Sequence, residues 1–212
     1  MEPTEENIRA WNELHRRWAE AYAGPPQLSL EARELLPELR SKHVLHVRCG
    51  TGETSAQLVE LGALVTGIDL DEDVLAAARG LAQNALFERA DLLQLPPHLR
   101  RRRFHLVYAG PGALREAQDL SVWAAKAAGA LRPGGELFVH EIHPVADCLD
   151  PASLRWRADY FELPWQLGDV VSAVAGSGLQ VTRLVELRPP SSPRRQDPRV
   201  PGEYVLRAVK PS

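Results

Sequence analysis

Apolar residues in the middle of the chain come in short runs, separated by stretches with helical periodicity. The short runs predict strands at 43–48, 64–68, 85–88, 104–109 and 136–142. The stretches between them predict helices over 54–61, from a cap at Asp71 through Ala78, and over about 115–131. Repeated strand–helix units of this length favour a parallel sheet with helices on both faces.

The pattern changes after Pro144. Residues 144–165 lack a regular period, a helix is predicted over about 167–176, and two apolar runs, Leu179–Leu187 and Tyr204–Val209, predict strands. The segment PPSSPRRQDPRVPG between these runs is too rich in proline to form a crossover helix. We therefore expect the last two strands to pair antiparallel as a hairpin.

Two helices are predicted before the first strand. Thr4 can cap a helix with one apolar stripe, and Ser29 can cap a second helix that runs toward Leu39. We interpret residues 1–40 as N-terminal helices of the same domain that form a lid over a ligand, with residues 41–212 as the main domain. Plain packing against that domain is the alternative. The stripe consists of Ile8, Trp11, Leu14, Trp18 and Tyr22.

Composition and charge narrow the function classes. The chain has 212 residues, a net charge of −3 and 44% hydrophobic residues, which fits one domain with a substantial core. This balance argues against a general binder of nucleic acid or membrane surfaces. The two cysteines, Cys49 and Cys148, lie far apart, which favours free thiols and a cytoplasmic location. No apolar run reaches transmembrane length.

The first predicted strand runs directly into a glycine turn, Cys49-Gly50-Thr51-Gly52. Strand, glycine turn and helix in this order form nucleotide pockets, because glycine lets the backbone approach the ligand closely. Asp69 follows Gly50 by nineteen residues, close to the spacing at which a carboxylate binds ribose hydroxyls. Ser55 stands where a dinucleotide-binding pattern would carry a third glycine.

Further motifs follow in order along the chain: Ala90-Asp91-Leu92, the turn Leu131–Gly135 and the closing hairpin. With these motifs, the chain from about residue 40 to its end resembles the class I S-adenosylmethionine (SAM)-dependent methyltransferases. The segments LRPGGELFVHEIHP, LGDVVSAVAGSGLQVTRLVE and GEYVLRAVKP are similar to the small-molecule, ubiquinone-biosynthesis-like branch. The resemblance implies a Rossmann-like, doubly wound α/β fold with a mostly parallel seven-stranded sheet, SAM as cofactor, and methyl transfer to a small molecule.

The resemblance also implies a cofactor site made from the loops that follow the first four strands. A helix-capping neighbourhood for Asp69 and a surface turn for Asp91 are the alternative interpretations. In chain order, the implied site comprises His46, Arg48, Cys49, Gly50 and Gly52 at the methionine end, Asp69 and Leu70 at the ribose and adenine, Asp91 and Leu92 at the adenine edge, and Ala109 and Gly110 beside the transferable methyl group.

Three positions depart from the family pattern. His46 stands where an acid is usual, Arg48 where glycine is usual, and His105 where the fourth strand often begins with Asp. A neutral imidazole offers the ligand's ammonium one hydrogen bond, whereas a protonated one repels it. Three interpretations follow: an active enzyme with Arg48 turned aside or paired with the SAM carboxylate, a non-catalytic or regulatory module with weakened SAM binding, or a pocket for a more anionic ligand.

The candidate general base is His143, which follows the fifth strand. A loop histidine packed beside Pro144 is the alternative interpretation. Glu141 shares its strand face, but two ligands are too few for a metal site, and we expect none. The aromatic segment 156–165 is predicted to wall an acceptor pocket, with ordinary core as an equal alternative for Trp156 and Phe161.

The expected partner is a small-molecule acceptor, with no membrane and with a monomeric or homodimeric chain. Two arginine clusters, Arg100–Arg103 and Arg194-Arg195 with Arg199, could grip RNA phosphates. The overall acidity argues against an RNA methyltransferase. A NAD-dependent oxidoreductase is the remaining enzyme alternative.

Overall fold

The computed structural model describes residues 28–101, 104–114, 117–150, 153, 155–188 and 199–212. The helix predicted after Thr4, and with it the greater part of the lid, falls outside these residues. So do Arg194 and Arg195 and part of the first arginine cluster. Across the described ranges, no helix has both the length and the apolar character needed to cross a membrane.

Within the described residues, seven strands form one mixed sheet in the order β3-β2-β1-β4-β5-β7-β6. Strands β1 to β5 run parallel, whereas β7 is antiparallel to both β5 and β6. The predicted parallel sheet and the closing antiparallel hairpin are thus confirmed. The strands are β1 His43–Val47, β2 Leu64–Asp69, β3 Leu86–Arg89, β4 Phe104–Ala109, β5 Leu131–Ile142, β6 Gln180–Leu187 and β7 Glu203–Val209.

Side-chain caps fix where several helices begin. Ser29 and Asp71 accept hydrogen bonds from backbone N–H groups of the first turn, as predicted. Two short 3₁₀ helices span Leu92–Gln94 and Tyr160–Glu162. The α-helices are α1 Leu30–Glu34, α2 Glu53–Glu60, α3 Glu72–Leu81, α4 Pro97–Arg101, α5 Leu120–Ala130, α6 Pro144–Asp147 and α7 Leu167–Gly176.

Two predicted boundaries were wrong. Helix α5 begins at Leu120 and not near residue 115, because the Asp119 carboxylate accepts the N–H groups of Ser121 and Val122 and so sets the first turn. Strand β5 begins at Leu131, five residues before the predicted start, because Leu131 already pairs with Phe104 ahead of a bulge.

Helices cover both faces of the sheet, and alternate strand residues point to opposite faces. On one face Val107 and Ala109 of β4 join a cluster that includes Trp123 of α5 and Val170 of α7. On the other face, Leu106 and Tyr108 join Ala32 of α1 and Leu58 of α2. The carboxyl ends of β1 to β4 therefore meet at one edge, between two packed layers.

Gly52, the residue before α2, lets this helix lie directly against α3. A Cβ at Gly52 would lie 2.9 Å from both Cα and Cβ of Ala78 in α3, and the Gly52 φ is +92°. Both the left-handed backbone and the close approach require glycine here.

We predict that Gly52→Ala lowers the free energy of unfolding by about 2–4 kcal/mol, because it adds left-handed strain and overpacking. Urea denaturation measures this. The matched control is Gly80→Ala within α3, where a Cβ meets nothing within 4 Å. The control should raise stability by about 0.5–1 kcal/mol. Equal effects of the two substitutions would contradict the packing role of Gly52.

Candidate functional site

The loop between β1 and α2 alternates through three left-handed residues. Arg48 has φ +54°, Gly50 +55° and Gly52 +92°. For arginine this conformation costs about 1–2 kcal/mol, which explains why glycine suits position 48. Among the described residues, a Cβ on Gly50 would meet no atom within 4 Å, so none of them fills the space above the turn.

Asp69 ties this turn to the end of β2. Its carboxylate accepts hydrogen bonds from the backbone N–H groups of Leu70 at 2.7 Å, Asp71 at 3.2 Å and Gly50 at 3.2 Å. The side chain is buried. The carboxylate is therefore held in one orientation before any ligand arrives, and its distance from the turn is fixed.

Arg48 leans toward this carboxylate. Its Nη1 lies 3.8 Å from Oδ1 of Asp69, with 30% of the arginine side chain and 7% of the aspartate side chain exposed. A contact of this length at a half-exposed site is weak. Arg48 thus stands beside the carboxylate that is expected to bind ribose.

An open cleft of about 470 Å³ lies beside the pair. Four carboxylates and two guanidinium groups border it, so its walls are strongly polar with an excess of negative charge. Leu70 is 46% exposed and supplies apolar surface at the cleft. The lining residues are Arg48, Asp69, Leu70, Asp71, Glu72, Asp73 and Arg89.

His46 lies beneath the turn as a neutral imidazole. Its Nδ1 is 2.8 Å from Oγ of Ser55, and its ring meets the Tyr108 ring edge-on at 5.1 Å between centroids. Burial lowers the pKa of His46 to about 3. The replacement of an acid by His46 therefore removes a charge from the site and does not reverse it. Nε2 lies 3.8 Å from the position that a Cβ on Gly110 would take.

Cys49 contributes packing and its backbone. Its Sγ would lie 2.9 Å from a Cβ on Gly67, and its N–H donates to the Ile68 carbonyl at 3.0 Å. Burial, reinforced by the Asp69 charge, raises the pKa of the Cys49 thiol to about 12. The thiol stays protonated and is a poor nucleophile.

The structure places the remaining expected cofactor residues at the ends of β3 and β4. Asp91 accepts the Leu93 N–H at 2.9 Å and starts a 3₁₀ helix, whereas the Leu92 side chain lies in the core. Ala109 and Gly110 end β4, and a Cβ on Gly110 would lie 3.2 Å from the Tyr108 ring. Leu92 therefore faces the core, and Gly110 covers Tyr108.

His143 turns toward the C-terminal hairpin. Its Nδ1 accepts the Val145 N–H at 3.1 Å and caps α6, and its Nε2 lies 2.9 Å from Oε1 of Glu186 on β6. Burial lowers the pKa of His143, while the Glu186 carboxylate opposes this shift. These contacts agree with a histidine packed in the loop after β5. Its assignment as the general base stays a prediction.

Glu141 has a different set of partners from His143. Its carboxylate accepts the N–H groups of Gly112 at 2.8 Å and Leu114 at 3.3 Å, across the sheet edge. It also accepts the N–H of Ile142 at 2.8 Å. Glu141 thereby fixes the loop that follows β4, directly beyond Gly110.

Two aromatic side chains of the segment 156–165 are largely exposed. Trp156 is 63% and Phe161 82% exposed, so the core interpretation of these two residues is wrong. Trp165, by contrast, packs against the main cluster. The Tyr160 hydroxyl accepts the Leu167 N–H at 3.1 Å and joins the segment to α7.

Sequence reasoning missed a second set of buried polar residues: Ser55, Tyr108, His140 and Glu203. Their signal was present, since each of the last three lies within an apolar strand run, in FHLVYA, LFVHEI or EYVL. What the sequence lacks is the register that brings them into contact.

Part of the chain is similar to known methyltransferases. Residues 44–135 match the family model described as a methyltransferase domain. The demethylmenaquinone methyltransferase of Chlorobaculum tepidum is 35% identical over 112 residues, which are 52% of this chain and 45% of that protein. The O-methyltransferase cnsE of Penicillium expansum is 29% identical over 170 residues, 76% of this chain and 60% of that protein. The chain thus spans about half of the length of the curated relatives it matches.

Solved structures share the fold. A SAM-dependent methyltransferase from Mesorhizobium loti superposes with a TM-score of 0.67 at 24% identity, covering 84% of this chain and 95% of that one. A second, from Listeria monocytogenes, gives 0.68 at 21% identity, covering 86% and 97%. At these identities the likeness concerns the fold.

The buried state of His46 predicts a pH dependence of stability. Its pKa is about 3 when folded, below the ordinary 6.5, so protons bind preferentially to the unfolded chain as pH falls below 6.5. Stability is therefore fully present above pH 6.5 and falls between pH 6.5 and 3, with this residue contributing about 1 kcal/mol per pH unit.

We expect His46→Gln to flatten the fall in the free energy of unfolding between pH 6.5 and 4.5, measured by urea denaturation at intervals of half a unit. His98→Gln, at an exposed histidine, is the control and should leave the slope unchanged. The same slope in His46→Gln and in the unsubstituted protein would refute the assignment.

Proposed function

Because residues 44–135 match a methyltransferase domain and the fold is shared with S-adenosylmethionine-dependent methyltransferases, we propose that the chain transfers the methyl group of SAM to a small-molecule acceptor. The single observation that carries the proposal is the Asp69 carboxylate, held by three backbone N–H groups at the mouth of an open cleft. A carboxylate fixed in this way accepts two ribose hydroxyls without having to reorganise.

The cofactor would follow the ends of the parallel strands. Its ribose would bind Asp69, its adenine would lie beside Leu70 near Asp91, and its methionine part would cross the open space above Gly50. The methyl group would then face Gly110 at the end of β4. This order agrees with the rule that ligands of open α/β sheets bind at the carboxyl ends of the strands.

His46 would take part as a neutral hydrogen-bond acceptor. If Nδ1–H donates to Oγ of Ser55, Nε2 keeps its lone pair, and that lone pair is the feature that an ammonium group needs. The low pKa of His46 supports this role, because a neutral ring does not repel the ammonium.

Methyl transfer from a sulfonium depends chiefly on alignment of the acceptor behind the methyl group. Glu141 serves that alignment, because it holds the loop at Gly112 that borders Gly110. Curated relatives named as demethylmenaquinone and ubiquinone biosynthesis methyltransferases support a small-molecule acceptor.

The position of Arg48 favours a second candidate, a non-catalytic protein of the same fold with weakened SAM binding. Its guanidinium stands next to the carboxylate that ribose would need. The loose contact and half-exposed arginine argue that ribose can displace it at small cost. The two candidates differ in cofactor affinity, which binding measurements determine.

We predict that the purified protein binds S-adenosylhomocysteine, the demethylated cofactor, with a calorimetric signal, and that Asp69→Asn weakens this binding at least about tenfold, because it removes charged hydrogen bonds to ribose. Asp119→Asn is the matched control, since asparagine caps α5 as well as aspartate does. Absence of binding at millimolar S-adenosylhomocysteine would overturn the proposed methyltransferase activity and favour the non-catalytic candidate.

A separate prediction concerns Arg48→Gly. Because the pair with Asp69 is worth at most about 1 kcal/mol, the affinity for S-adenosylhomocysteine should change by no more than about fivefold. Isothermal titration of this variant and of Arg48→Gly with His46→Asp tests it. A gain of a hundredfold or more would show that Arg48 closes the native pocket, and a comparable loss would show that Arg48 grips the cofactor directly.

A further inference from the structure

Four buried polar side chains on neighbouring strands form a continuous chain through the sheet. The rings of His46 on β1 and Tyr108 on β4 are in edge contact, and the Tyr108 hydroxyl lies 3.2 Å from Nδ1 of His140 on β5. Nε2 of His140 lies 2.9 Å from Oε2 of Glu203 on β7. Burial of several polar groups in an apolar core costs folding free energy, which indicates that these side chains have a functional role.

The register of the strands carries this chain toward the carboxyl edge of the sheet. Tyr108 lies opposite Phe138, so His140 is two residues nearer that edge. Glu203 lies opposite Ile142, two residues beyond His140, at the end of β5. The row of polar side chains therefore runs diagonally across the sheet and ends with the Glu203 carboxylate at the carboxyl edge, here called the rim. There, 7% of the Glu203 side chain is exposed.

The chemistry of the groups assigns the direction of the hydrogen bonds. Burial and the charges of Glu203 and Glu141 raise the pKa of Tyr108, so its hydroxyl keeps its proton and donates to Nδ1 of His140. Nε2–H of His140 then donates to Glu203, because a carboxylate only accepts. A carboxylate at the rim is thus backed by a histidine, which is in turn oriented by a hydroxyl.

We propose that Glu203 accepts the proton that the methyl acceptor loses, with His140 and Tyr108 as its positioning residues. This inference rests on the function proposed above. The acceptor's lone pair forms the bond to the methyl carbon, while the sulfur–methyl bond breaks and its electron pair stays on sulfur. The acceptor's proton passes to the Glu203 carboxylate, which releases it to solvent at the rim.

The proposal defines the acceptor class by its proton: the nucleophilic atom carries a removable hydrogen, as in a phenol. Pyridine, by contrast, is methylated without proton loss and needs no base. Catechol and 3,4-dihydroxybenzoate are the probes of the first kind, and pyridine is the probe of the second kind.

The test measures S-adenosylhomocysteine formation from SAM and catechol at neutral pH for the unsubstituted chain and for Glu203→Gln, which keeps the shape and the acceptor for His140. Glu203→Gln should lower kcat about 100-fold or more and leave KM nearly unchanged. Glu203→Asp should restore part of the rate.

Glu88→Gln is the matched control, because Glu88 also pairs with a histidine, His98 at 2.8 Å, but on the exposed edge strand β3. It should behave as the unsubstituted chain. Two titratable groups next to Tyr108 also act on this row of polar side chains: His46 of β1 and Glu141 of β5. Both are unchanged in every variant. If Glu203→Gln fails to fold, Tyr108→Phe decides, with a lowered kcat and a nearly unchanged KM expected.

Three outcomes would overturn the proposal. A Glu203→Gln variant with the kcat of the unsubstituted protein would show that the row of buried polar side chains is structural only. Turnover of pyridine, but of neither catechol nor 3,4-dihydroxybenzoate, would show that the proposed acceptor class is wrong. Absence of all turnover in a protein that binds S-adenosylhomocysteine would show the same. That last result leaves cofactor binding intact, whereas failure to bind S-adenosylhomocysteine overturns the proposed function itself.

Discussion

The candidate site depends first on the Asp69 carboxylate. It is the point where the end of β2, the start of the loop to α3 and the glycine turn after β1 are joined by hydrogen bonds. Because the turn residues are left-handed, their N–H groups point where ordinary strand or helix geometry would not send them, and a fixed anion satisfies one of them. The same anion is the group that a ribose would bind, so folding of the turn and recognition of a nucleoside share one side chain.

Much of this arrangement follows from local sequence. The strand runs, the caps at Ser29 and Asp71 and the proline-rich break before β7 were sufficient for the parallel sheet and the hairpin. The start of β5 was missed, because Leu131 joins the sheet through a bulge opposite Phe104, and a bulge leaves no period-two signal. The start of α5 was missed because sequence compatible with a helix also precedes the Asp119 cap that starts it.

In the site, too, features set by local sequence were predictable, whereas features set by strand pairing were not. The expected cofactor positions Gly50 and Asp69 come from short-range spacing and lie together. Contacts between strands distant in sequence could not be predicted, since the diagonal from Tyr108 to His140 and Glu203 exists only in the observed register. A single slip of one residue would send His140 to the other face of the sheet.

The two unusual residues of the turn both shift its charge in the same direction, toward positive. Burial keeps His46 neutral, so the site loses an anion there, and Arg48 adds a cation beside Asp69. SAM carries an ammonium and a sulfonium against one carboxylate, so it needs a net negative surrounding. Three further carboxylates, on the first turn of α3 and its cap, line the cleft together with Arg48 and Arg89. The start of α3 therefore gives the cleft an excess of negative charge, which favours a cationic cofactor.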